Sequence, residues 1–428
     1  MGQGRRGKPR PKACTLGDLL DIKHGFAFQG EHFSDAGTHI VLTPGNFFEE
    51  GGFKSKVDKE KWYTGPIPPD YVLSQGDLIV AMTEQGEGLL GSAAIIPRSG
   101  LYLHNQRLGL VQIRDAQRTD RRFVYYLFNS KVVRQQIRAS ASGSKIRHTA
   151  PSRIGEVTVR VPPLPVQQRI SAILSAYDDL IENNTRRIRI LEEIAQALHR
   201  EWFVHFRFPG HEKVRKVESA LGQIPEGWGV VKLADLAEVN ASSVRRGNEP
   251  DRISYIDIAS LSTGSVNEAQ RYKFAEAPGR ARRIVRHGDI LWSMVRPNRK
   301  SYALLLNPDP DVIVSTGFAV LSPTHAPFAY LYHAVTTDDF ATYLTNHATG
   351  AAYPAVNAQD FEQAQVLRPS RILLDRYQEI AEPWLEFGDH LRRKNANLRT
   401  TRDLLLPKLI SGELDVSRLD VSVAGGRE

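Results

Sequence analysis

The 428-residue sequence has very little cysteine and no long apolar run. Its single cysteine, Cys14, cannot form an intramolecular disulfide, and such low cysteine usage is typical of a reducing compartment. No stretch approaches the roughly 18 apolar residues needed to cross a bilayer, and the N-terminus lacks the apolar core of a signal peptide. These absences predict a cytoplasmic protein that has no membrane contact.

Sequence motifs that would indicate catalysis are also missing. There is no Asp/Asn-Pro-Pro-aromatic methyltransferase motif, residues 307–310 (NPDP) being only similar to it, and no Gly-rich phosphate loop. No Asp/Glu-x-Lys follows the Pro69–Asp70 pair, so a nuclease cluster of that spacing is absent. Residues 211–215 (HEKVR) begin like a zinc-protease helix but lack its second histidine. The sequence therefore predicts no catalytic residue, no metal site and no cofactor bound by this chain itself.

The composition is that of an ordinary globular protein, with 41% hydrophobic and 24% charged residues and room for two or three domains. The formal net charge is +8. A Gly- and Pro-rich tail at residues 1–12, which we expect to be disordered, has no acidic residue. Because this tail holds much of the charge, nucleic-acid binding has to be argued from local clusters elsewhere. The basic residues of the tail are Arg5, Arg6, Lys8, Arg10 and Lys12.

Residues 165–206 have the heptad spacing of a helix that packs one apolar seam against a partner helix. A helix of roughly 36 residues would span roughly 54 Å at about 1.5 Å per residue. Asn184 is the single polar residue on the predicted seam. The seam positions are Ile170, Leu174, Tyr177, Ile181, Asn184, Ile188, Leu191, Ala195, Leu198 and Trp202.

A second copy of this pattern lies 210 residues further on, at residues 371–416, with Lys394 in place of Asn184. We expect the two helices to pair antiparallel, the two polar positions facing each other near the middle. Pro383, Gly388 and Pro407 interrupt the second copy, so a bend near Pro383 and a stop near Pro407 are expected. The second set of seam positions is Ile380, Trp384, Phe387, Leu391, Lys394, Leu398 and Leu405.

The segments before the two helices, residues 13–164 and 207–370, repeat each other as well. Residues 75–82 (QGDLIVAM) correspond to residues 287–294 (HGDILWSM), each a turn that leads into a buried strand. The predicted fold class is therefore α+β, with two tandem α/β domains separated by two long antiparallel coiled-coil helices in a pseudo-twofold internal repeat. Residues 417–428 would form a C-terminal tail.

Several short segments resemble the specificity subunits of type I restriction–modification systems. The resemblance is carried by residues 162–170 (PPLPVQQRI) and 180–184 (LIENN) around the first long helix, and by residues 221–228 (LGQIPEGW). Residues 105–107 (NQR), 315–318 (STGF) and 405–414 (LLPKLISGEL) add to it. Each segment is a weak signal alone, but their order and spacing along nearly the whole chain are specific.

The resemblance implies that two target-recognition domains each read one half of a split double-stranded DNA sequence, at a spacing fixed by the helices. Two modification subunits and the restriction subunits would dock on this chain. S-adenosylmethionine, ATP and Mg²⁺ would be bound only by those partner subunits. Two alternatives stay open, namely a non-catalytic coiled-coil adaptor, and the recognition subunit of a methyltransferase-only or related restriction system.

Candidate base-reading residues are Arg, Lys, Asn and Gln side chains on short exposed segments, because these types form hydrogen bonds to base edges and phosphates. A Gly/Ser loop provides three of them in the first domain, with Gln85 and Arg107 outside it. The segment after the buried strand provides four in the second domain, and Tyr353 lies just past Gly350. The candidates are Lys145, Arg147, His148, Gln85 and Arg107 in the first domain, and Arg296, Asn298, Arg299, Lys300 and Tyr353 in the second.

Overall fold

The computed structural model describes residues 12–56 and 59–419, which form two compact units. Unit 1 comprises residues up to Glu182 together with those from Ala396 onward, and unit 2 comprises Asn183–Asn395. The predicted basic tail lies outside the described residues except for Lys12, which begins a strand instead. Of the predicted C-terminal tail, residues 417–419 alone are described.

Unit 1 is built on two small β-sheets and three helices. Its strands are β1 (Lys12–Thr15), β2 (Leu20–His24), β3 (Phe33–Ser34), β4 (His39–Val41), β5 (Trp62–Tyr63), β6 (Leu78–Ala81), β7 (Thr83–Glu84), β8 (Ala93–Ile95), β9 (Tyr102–Leu103), β10 (Leu108–Ile113), β11 (Arg147–His148) and β12 (Thr158–Val161). Its helices α1 (Arg121–Phe128), α2 (Lys131–Ala139) and α3 (Pro151–Gly155) precede the first long helix, α4 (Leu164–His199).

The apolar strand β6 lies inside the four-stranded sheet β2-β10-β6-β8, and all four of its residues are buried. Because successive side chains of a strand point to opposite faces, Leu78 and Val80 pack on the side of α1 and α2. Ile79 and Ala81 pack on the side of the second sheet, β3-β5-β4-β9. Because both faces of β6 are covered, its sequence is an unbroken apolar run and not an alternation of apolar and polar residues.

Unit 2 repeats this arrangement. Its strands are β13 (Lys216–Ser219), β14 (Gly222–Pro225), β15 (Gly229–Lys232), β16 (Ala237–Val239), β17 (Arg252–Ile256), β18 (Leu261–Ser262), β19 (Ser265–Val266), β20 (Gln270–Lys273), β21 (Ala281–Ile284), β22 (Ile290–Ser293), β23 (Tyr302–Leu304), β24 (Val312–Ser315), β25 (Phe318–Pro323) and β26 (Gln365–Arg368). Its helices are α5 (Phe328–Ala334), α6 (Asp338–His347), α7 (Ala358–Glu362) and the second long helix, α8 (Arg371–Ser411), which continues into unit 1.

Three sheets of unit 1 have counterparts in unit 2, whereas the two-stranded sheets β7-β11, β13-β14 and β18-β19 have none in the described residues. The order β2-β10-β6-β8 corresponds to β16-β25-β22-β23, and the pair β1-β12 corresponds to β15-β26. In the second sheets, β4 lies between antiparallel β5 and parallel β9, just as β17 lies between antiparallel β20 and parallel β24. The fourth strand differs, since β3 extends the sheet beyond β5 whereas β21 extends it beyond β24. The predicted fold class and internal repeat are confirmed, and the sheet edges are where the units diverge.

Each unit contains part of both long helices, which run antiparallel within it. In unit 1, Asp178 of α4 accepts a hydrogen bond from Arg402 of α8 over 2.5 Å. In unit 2, the Tyr377 hydroxyl donates to the Ala195 carbonyl oxygen over 3.2 Å. A second contact in unit 2 joins Asn184 to Asn395, so the numbering rises along α4 as it falls along α8, which confirms the predicted antiparallel pairing. The first helix has the predicted 36 residues and continues as a π-helical turn over Arg200–Val204.

The second long helix ends close to the stop expected near Pro407 but does not break at the proline, because α8 runs through Pro383, Gly388 and Pro407 and ends at Ser411. A proline inside a helix removes one backbone hydrogen bond. Packing around Pro407 outweighs that loss, since Leu405, Leu406, Leu409 and Ile410 join the core of unit 1.

The predicted pairing of Asn184 with Lys394 is wrong. Asn184 is buried, and its amide donates instead to Oδ1 of Asn395 over 2.8 Å, whereas Lys394 is exposed. Two neutral amides satisfy each other inside a helix pair, while a buried ammonium group would need a counter-charge.

The second seam is therefore displaced by one residue at several positions, with Ala381, Leu385, Gly388 and Asn395 buried in place of Ile380, Trp384, Phe387 and Lys394, whereas Leu391 is buried as predicted. Phe387 is 45% exposed and Trp384 is half-buried, while Ala381, Leu385 and Gly388 are buried. Two of these three positions hold Ala381 and Gly388, which a search for large apolar side chains overlooks. The other predicted seam residues of both helices, Ile170, Leu174, Tyr177, Ile181, Ile188, Leu191, Leu198, Ile380, Leu391, Leu398 and Leu405, are buried or half-buried.

Two buried histidines in unit 2 make its stability depend on pH. His333 Nδ1 lies 2.9 Å from the Tyr377 hydroxyl, and its ring centroid lies 5.7 Å from that of His199. Burial lowers the pKa of His333 to about 4, and burial beside His333 and Arg200 lowers the pKa of His199 well below its usual value. Both imidazoles are therefore neutral in the fold, whereas they become protonated in the unfolded chain below about pH 6.5.

We therefore expect the free energy of unfolding to decrease as the pH is lowered from about 6.5 to 4. His333 alone accounts for about 3 kcal/mol of this decrease. The stabilisation is complete above the imidazole pKa of the unfolded chain, and it is lost as the pH falls toward the imidazole pKa of the folded chain. Urea unfolding of His333→Gln should show a smaller loss between pH 7 and 4 than the wild type. His390→Gln, a change at an exposed position of α8, is the control. Equal losses for wild type and His333→Gln would contradict the assignment.

No helix within residues 12–56 and 59–419 is both long and apolar enough to cross a membrane.

Candidate nucleic-acid interface

In unit 1, three chain segments meet at Met82, which follows the buried strand β6. The Met82 N–H donates to the carbonyl oxygen of Arg107 over 2.9 Å, and the Met82 carbonyl oxygen accepts from the N–H of Thr149 over 2.9 Å. We call this meeting point the junction of unit 1. It places the segments that carry Gln85, Arg107 and the Gly/Ser loop beside one another, although they are distant in sequence.

Unit 2 has the same junction at Met294, after the equivalent strand β22. The Met294 N–H donates to Gly317 over 3.0 Å, and its carbonyl oxygen accepts from Val356 over 2.9 Å. The repeat therefore extends to individual backbone hydrogen bonds. It also shows that Arg107 of unit 1 corresponds to Gly317 of unit 2, so a side chain present at one junction is missing from the other.

A tight loop closed by a glycine turn reaches each junction. In unit 1 the backbones of Ser142 and His148 exchange two hydrogen bonds of 2.9 and 2.8 Å, and in unit 2 Thr349 and Ala355 exchange two of 2.9 Å. Gly143 has φ +98°, and a Cβ there would lie 2.0 Å from the carbonyl oxygen of Ile146. A glycine is required at this turn, because a side chain would collide with the backbone across the loop.

The structure brings the predicted candidates of unit 1 together around the junction. Arg147 and His148 form β11, which pairs with Thr83–Glu84 (β7), and the exposed Gln85 directly follows. Lys145 lies on the exposed part of the loop, and Arg107 is exposed as well. The buried Glu84 carboxylate accepts hydrogen bonds from the N–H groups of residues 88–90 over 2.9–3.1 Å, which holds the loop that begins at Gln85.

In unit 2, Arg296 is the central candidate. Its N–H donates to the Pro354 carbonyl oxygen over 2.7 Å, so its backbone is fixed against the glycine-turn loop. Its guanidinium carbon lies 4.6 Å from the centroid of the Tyr353 ring, which is 69% exposed, and its Nη2 donates to Ala352 over 3.3 Å. Arg296 also has φ +54°, a conformation that a non-glycine residue adopts only when its surroundings enforce it.

The other candidates of unit 2 differ in availability. Asn298 and Arg299 lie exposed on a single 3₁₀ turn after Arg296. The Lys300 ammonium group instead pairs with Asp338 over 2.6 Å and lowers the pKa of that carboxyl group. Lys300 is thus directed to the start of α6, and its charge is already neutralised.

The sequence analysis overlooked further arginines near the junction of unit 2. The carbonyl oxygen of the exposed Arg280 accepts a hydrogen bond from the Thr316 N–H over 2.8 Å, and Thr316 directly precedes Gly317. Arg282 stacks over the Phe274 ring at 5.0 Å. The Arg-Arg pairs at 245–246 and 282–283 were a visible signal of local positive charge, but they follow no buried strand and so did not fit the pattern that was sought.

Comparisons with known proteins agree with this architecture. Residues 12–193 match the family model of the type I restriction modification DNA specificity domain. The chain is 25% identical over 318 residues to the type I restriction enzyme MjaIX specificity subunit of Methanocaldococcus jannaschii. The aligned region covers 69% of this chain and 70% of that protein. It is 25% identical over 341 residues to the type I restriction enzyme HindI specificity subunit of Haemophilus influenzae, covering 65% and 74% of the two chains.

Among solved structures, the chain is similar to the crystal structure of the type I restriction–modification S subunit from M. genitalium. The TM-score is 0.60 at 16% sequence identity, with 96% of this chain and 98% of that chain covered. At such low identity this similarity establishes the shared fold alone. Taken together, these matches place a type I restriction modification DNA specificity domain in residues 12–193, and the repeated units and long paired helices belong to a chain that is similar over most of its length to type I specificity subunits.

Proposed function

We propose that this chain is the DNA-recognition subunit of a type I restriction–modification complex and acts in the cytoplasm. Each unit would read one half of a bipartite duplex sequence through its junction. The observation that carries the proposal is the presence, in both units, of the same junction surrounded by exposed Arg, Lys, Gln or Asn side chains. Two copies of one reading surface, each with different side chains, suit a target whose two halves differ in sequence.

The chemistry of the junctions supports base recognition. Arginine forms paired hydrogen bonds with guanine O6 and N7, and asparagine and glutamine do so with adenine. Stacking on Tyr353 restricts the Arg296 guanidinium to one plane, so less side-chain entropy is lost when it binds a base edge. Arg299 is exposed and suits a phosphate contact, which contributes affinity rather than sequence preference.

We propose further that the chain is not itself an enzyme. Methyl transfer and cleavage would be performed by two modification subunits and by restriction subunits docked on it, and S-adenosylmethionine, ATP and Mg²⁺ would be bound there. The sequence supports this division of labour, because it contains no methyltransferase, nuclease or nucleotide-binding motif of the kinds sought.

The direct test is to express the chain with its modification subunits in a host that lacks such a system, and then to map methylated bases across the genome. We expect methylation at one bipartite sequence with a fixed spacer. Modification subunits expressed alone should leave the genome unmethylated at that sequence. Methylation that does not depend on the chain, or that follows a continuous sequence, would contradict the proposal.

A further inference from the structure

Three side chains of unit 2 that are far apart in sequence converge at the side of the second long helix. His287 lies on the turn that leads into β22, while Glu382 and Glu386 lie one turn apart on α8. One ligand atom from each, an imidazole nitrogen or a carboxylate oxygen, lies within 4.8 Å of the other two. This cluster is separate from the junction and has no part in the proposed recognition of DNA.

The histidine of the cluster is held in place through its other ring nitrogen. His287 Nδ1 lies 3.0 Å from Oδ1 of Asn307, and the imidazole ring packs edge-on against the Phe328 ring with centroids 5.2 Å apart. The Asn307 carbonyl oxygen in turn accepts from Arg393 of α8 over 2.8 Å. Nδ1 also lies 3.3 Å from the Asn307 backbone nitrogen, whose N–H donates to it in the other tautomer. In the tautomer whose Nδ1–H donates to the Asn307 side-chain oxygen, the Nε2 lone pair is free, which is the usual arrangement of a histidine that binds a metal ion.

The two glutamates are arranged for a cation as well. Gln378 donates to Oε2 of Glu382 over 2.9 Å while accepting from the Ala329 N–H over 3.0 Å, so one carboxylate is fixed from behind. In the described part of the chain neither glutamate forms an ion pair. Two carboxylates one helical turn apart repel each other when no cation lies between them.

We propose that His287, Glu382 and Glu386 bind one divalent transition-metal ion of the Zn²⁺ type. An imidazole nitrogen with two carboxylate oxygens suits such an ion, whereas Mg²⁺ and Ca²⁺ prefer oxygen ligands alone and Cu⁺ prefers sulfur. Zn²⁺ bonds of about 2.1 Å place tetrahedral ligand atoms about 3.4 Å apart. The half-buried and exposed glutamates reach that spacing by small side-chain rotations. Water would complete the coordination.

Such an ion would join the turn before β22 to the long helix α8. Strand β22 ends at Ser293, and the next residue, Met294, forms the junction of unit 2. The metal would therefore fix the strand that carries the candidate reading surface to the helix, and it would stabilise unit 2 by binding to the folded state alone.

The test uses the full-length chain without an affinity tag, stripped of metal with a chelator. Titration with Zn²⁺ should show one bound equivalent and a rise in the midpoint of thermal unfolding, and Co²⁺ should give the visible absorption of a protein-bound ion. The double variant Glu382→Gln/Glu386→Gln should lose both the bound equivalent and the thermal shift. Glu379→Gln and His390→Asn, exposed changes on the same helix, should bind as the wild type does.

Asn307 provides a second, graded readout that does not alter a ligand. It has φ +45°, which glycine and aspartate both tolerate, so the backbone can be kept in each variant. Loss of a partner behind a metal-binding histidine weakens binding by about 10–100-fold. Asn307→Gly should therefore weaken Zn²⁺ binding by that factor, and Asn307→Asp should tighten it. The proposal is overturned if the wild type binds no Zn²⁺, or if the double glutamine variant binds it as tightly as the wild type.

Discussion

A variant that combines Arg296→Gly with Asn298→Ala is expected to lose discrimination at one half of the target while it still reads the other half. Each base contact contributes about 1–3 kcal/mol, so two lost contacts correspond to roughly 30-fold to more than 10⁴-fold weaker discrimination. Glycine is chosen at Arg296 because its φ of +54° would strain alanine. Binding of the complex with modification subunits to duplexes that vary each base of the target provides the measurement.

The matched experiment replaces Lys145 and Arg147 with alanine and should affect the opposite half alone. Arg376→Ala, an exposed change on α8 outside both junctions, is the charge control and should leave both halves intact. Equal weakening on all sequences, with a shallower dependence on salt, would instead assign the altered residues to phosphate contacts. Unchanged binding would remove them from the interface.

Lengthening both long helices together is expected to change the spacing between the recognised halves. The chain passes between the units at two places, after Glu182 in α4 and after Asn395 in α8. Inserting four helix-forming residues at both places adds about 6 Å to each helix, while duplex DNA rises about 3.4 Å per base pair. We expect the preferred spacer to grow by one or two base pairs and methylation at the original spacer to be lost. The bases read in each half should be the same, because the junctions are untouched.

Methylation mapping with the lengthened variant decides this prediction. An insertion of the same four residues after Gly247, in an exposed loop of unit 2, is the control and should leave the spacer unchanged. If the lengthened chain keeps the original spacer but reads different bases, the helices do not set the distance. The pseudo-twofold relation of the two recognition domains at opposite ends of the helices stays a prediction until a spacer series of this kind is measured.

The sequence was informative where one residue type determines one local structure. The turns at residues 76–77 and 288–289 preceded buried strands as predicted, because Asp77 and Asp289 accept hydrogen bonds from the backbone three residues earlier. The helix register was harder to predict. A one-residue difference in offset, seen in the pairing of Asn184 with Asn395 rather than with Lys394, cannot be recognised from apolar spacing.

The candidate site could be predicted only in part for a related reason. Loops next to a buried strand were found, and backbone hydrogen bonds at Met82 and Met294 do bring them together. Arg280 and the cluster around His287 were missed, because each depends on segments that only the folded chain places side by side. Such convergence has no periodicity along the sequence. The role of each candidate in DNA binding stays a prediction.

The division of the chain into units has a consequence for the order in which they form during synthesis. Unit 2 is one continuous segment, whereas the core of unit 1 includes Leu409 and Val416 near the C-terminus. The segment from Glu182 to Leu409 is 409 − 182 = 227 residues long. At about 5–20 residues per second the ribosome needs roughly 10–45 s to synthesise it. The core of unit 1 therefore stays incomplete until its C-terminal residues have been synthesised, whereas unit 2 can fold before then. We expect the nascent chain to need protection of that exposed apolar surface until the last helix emerges.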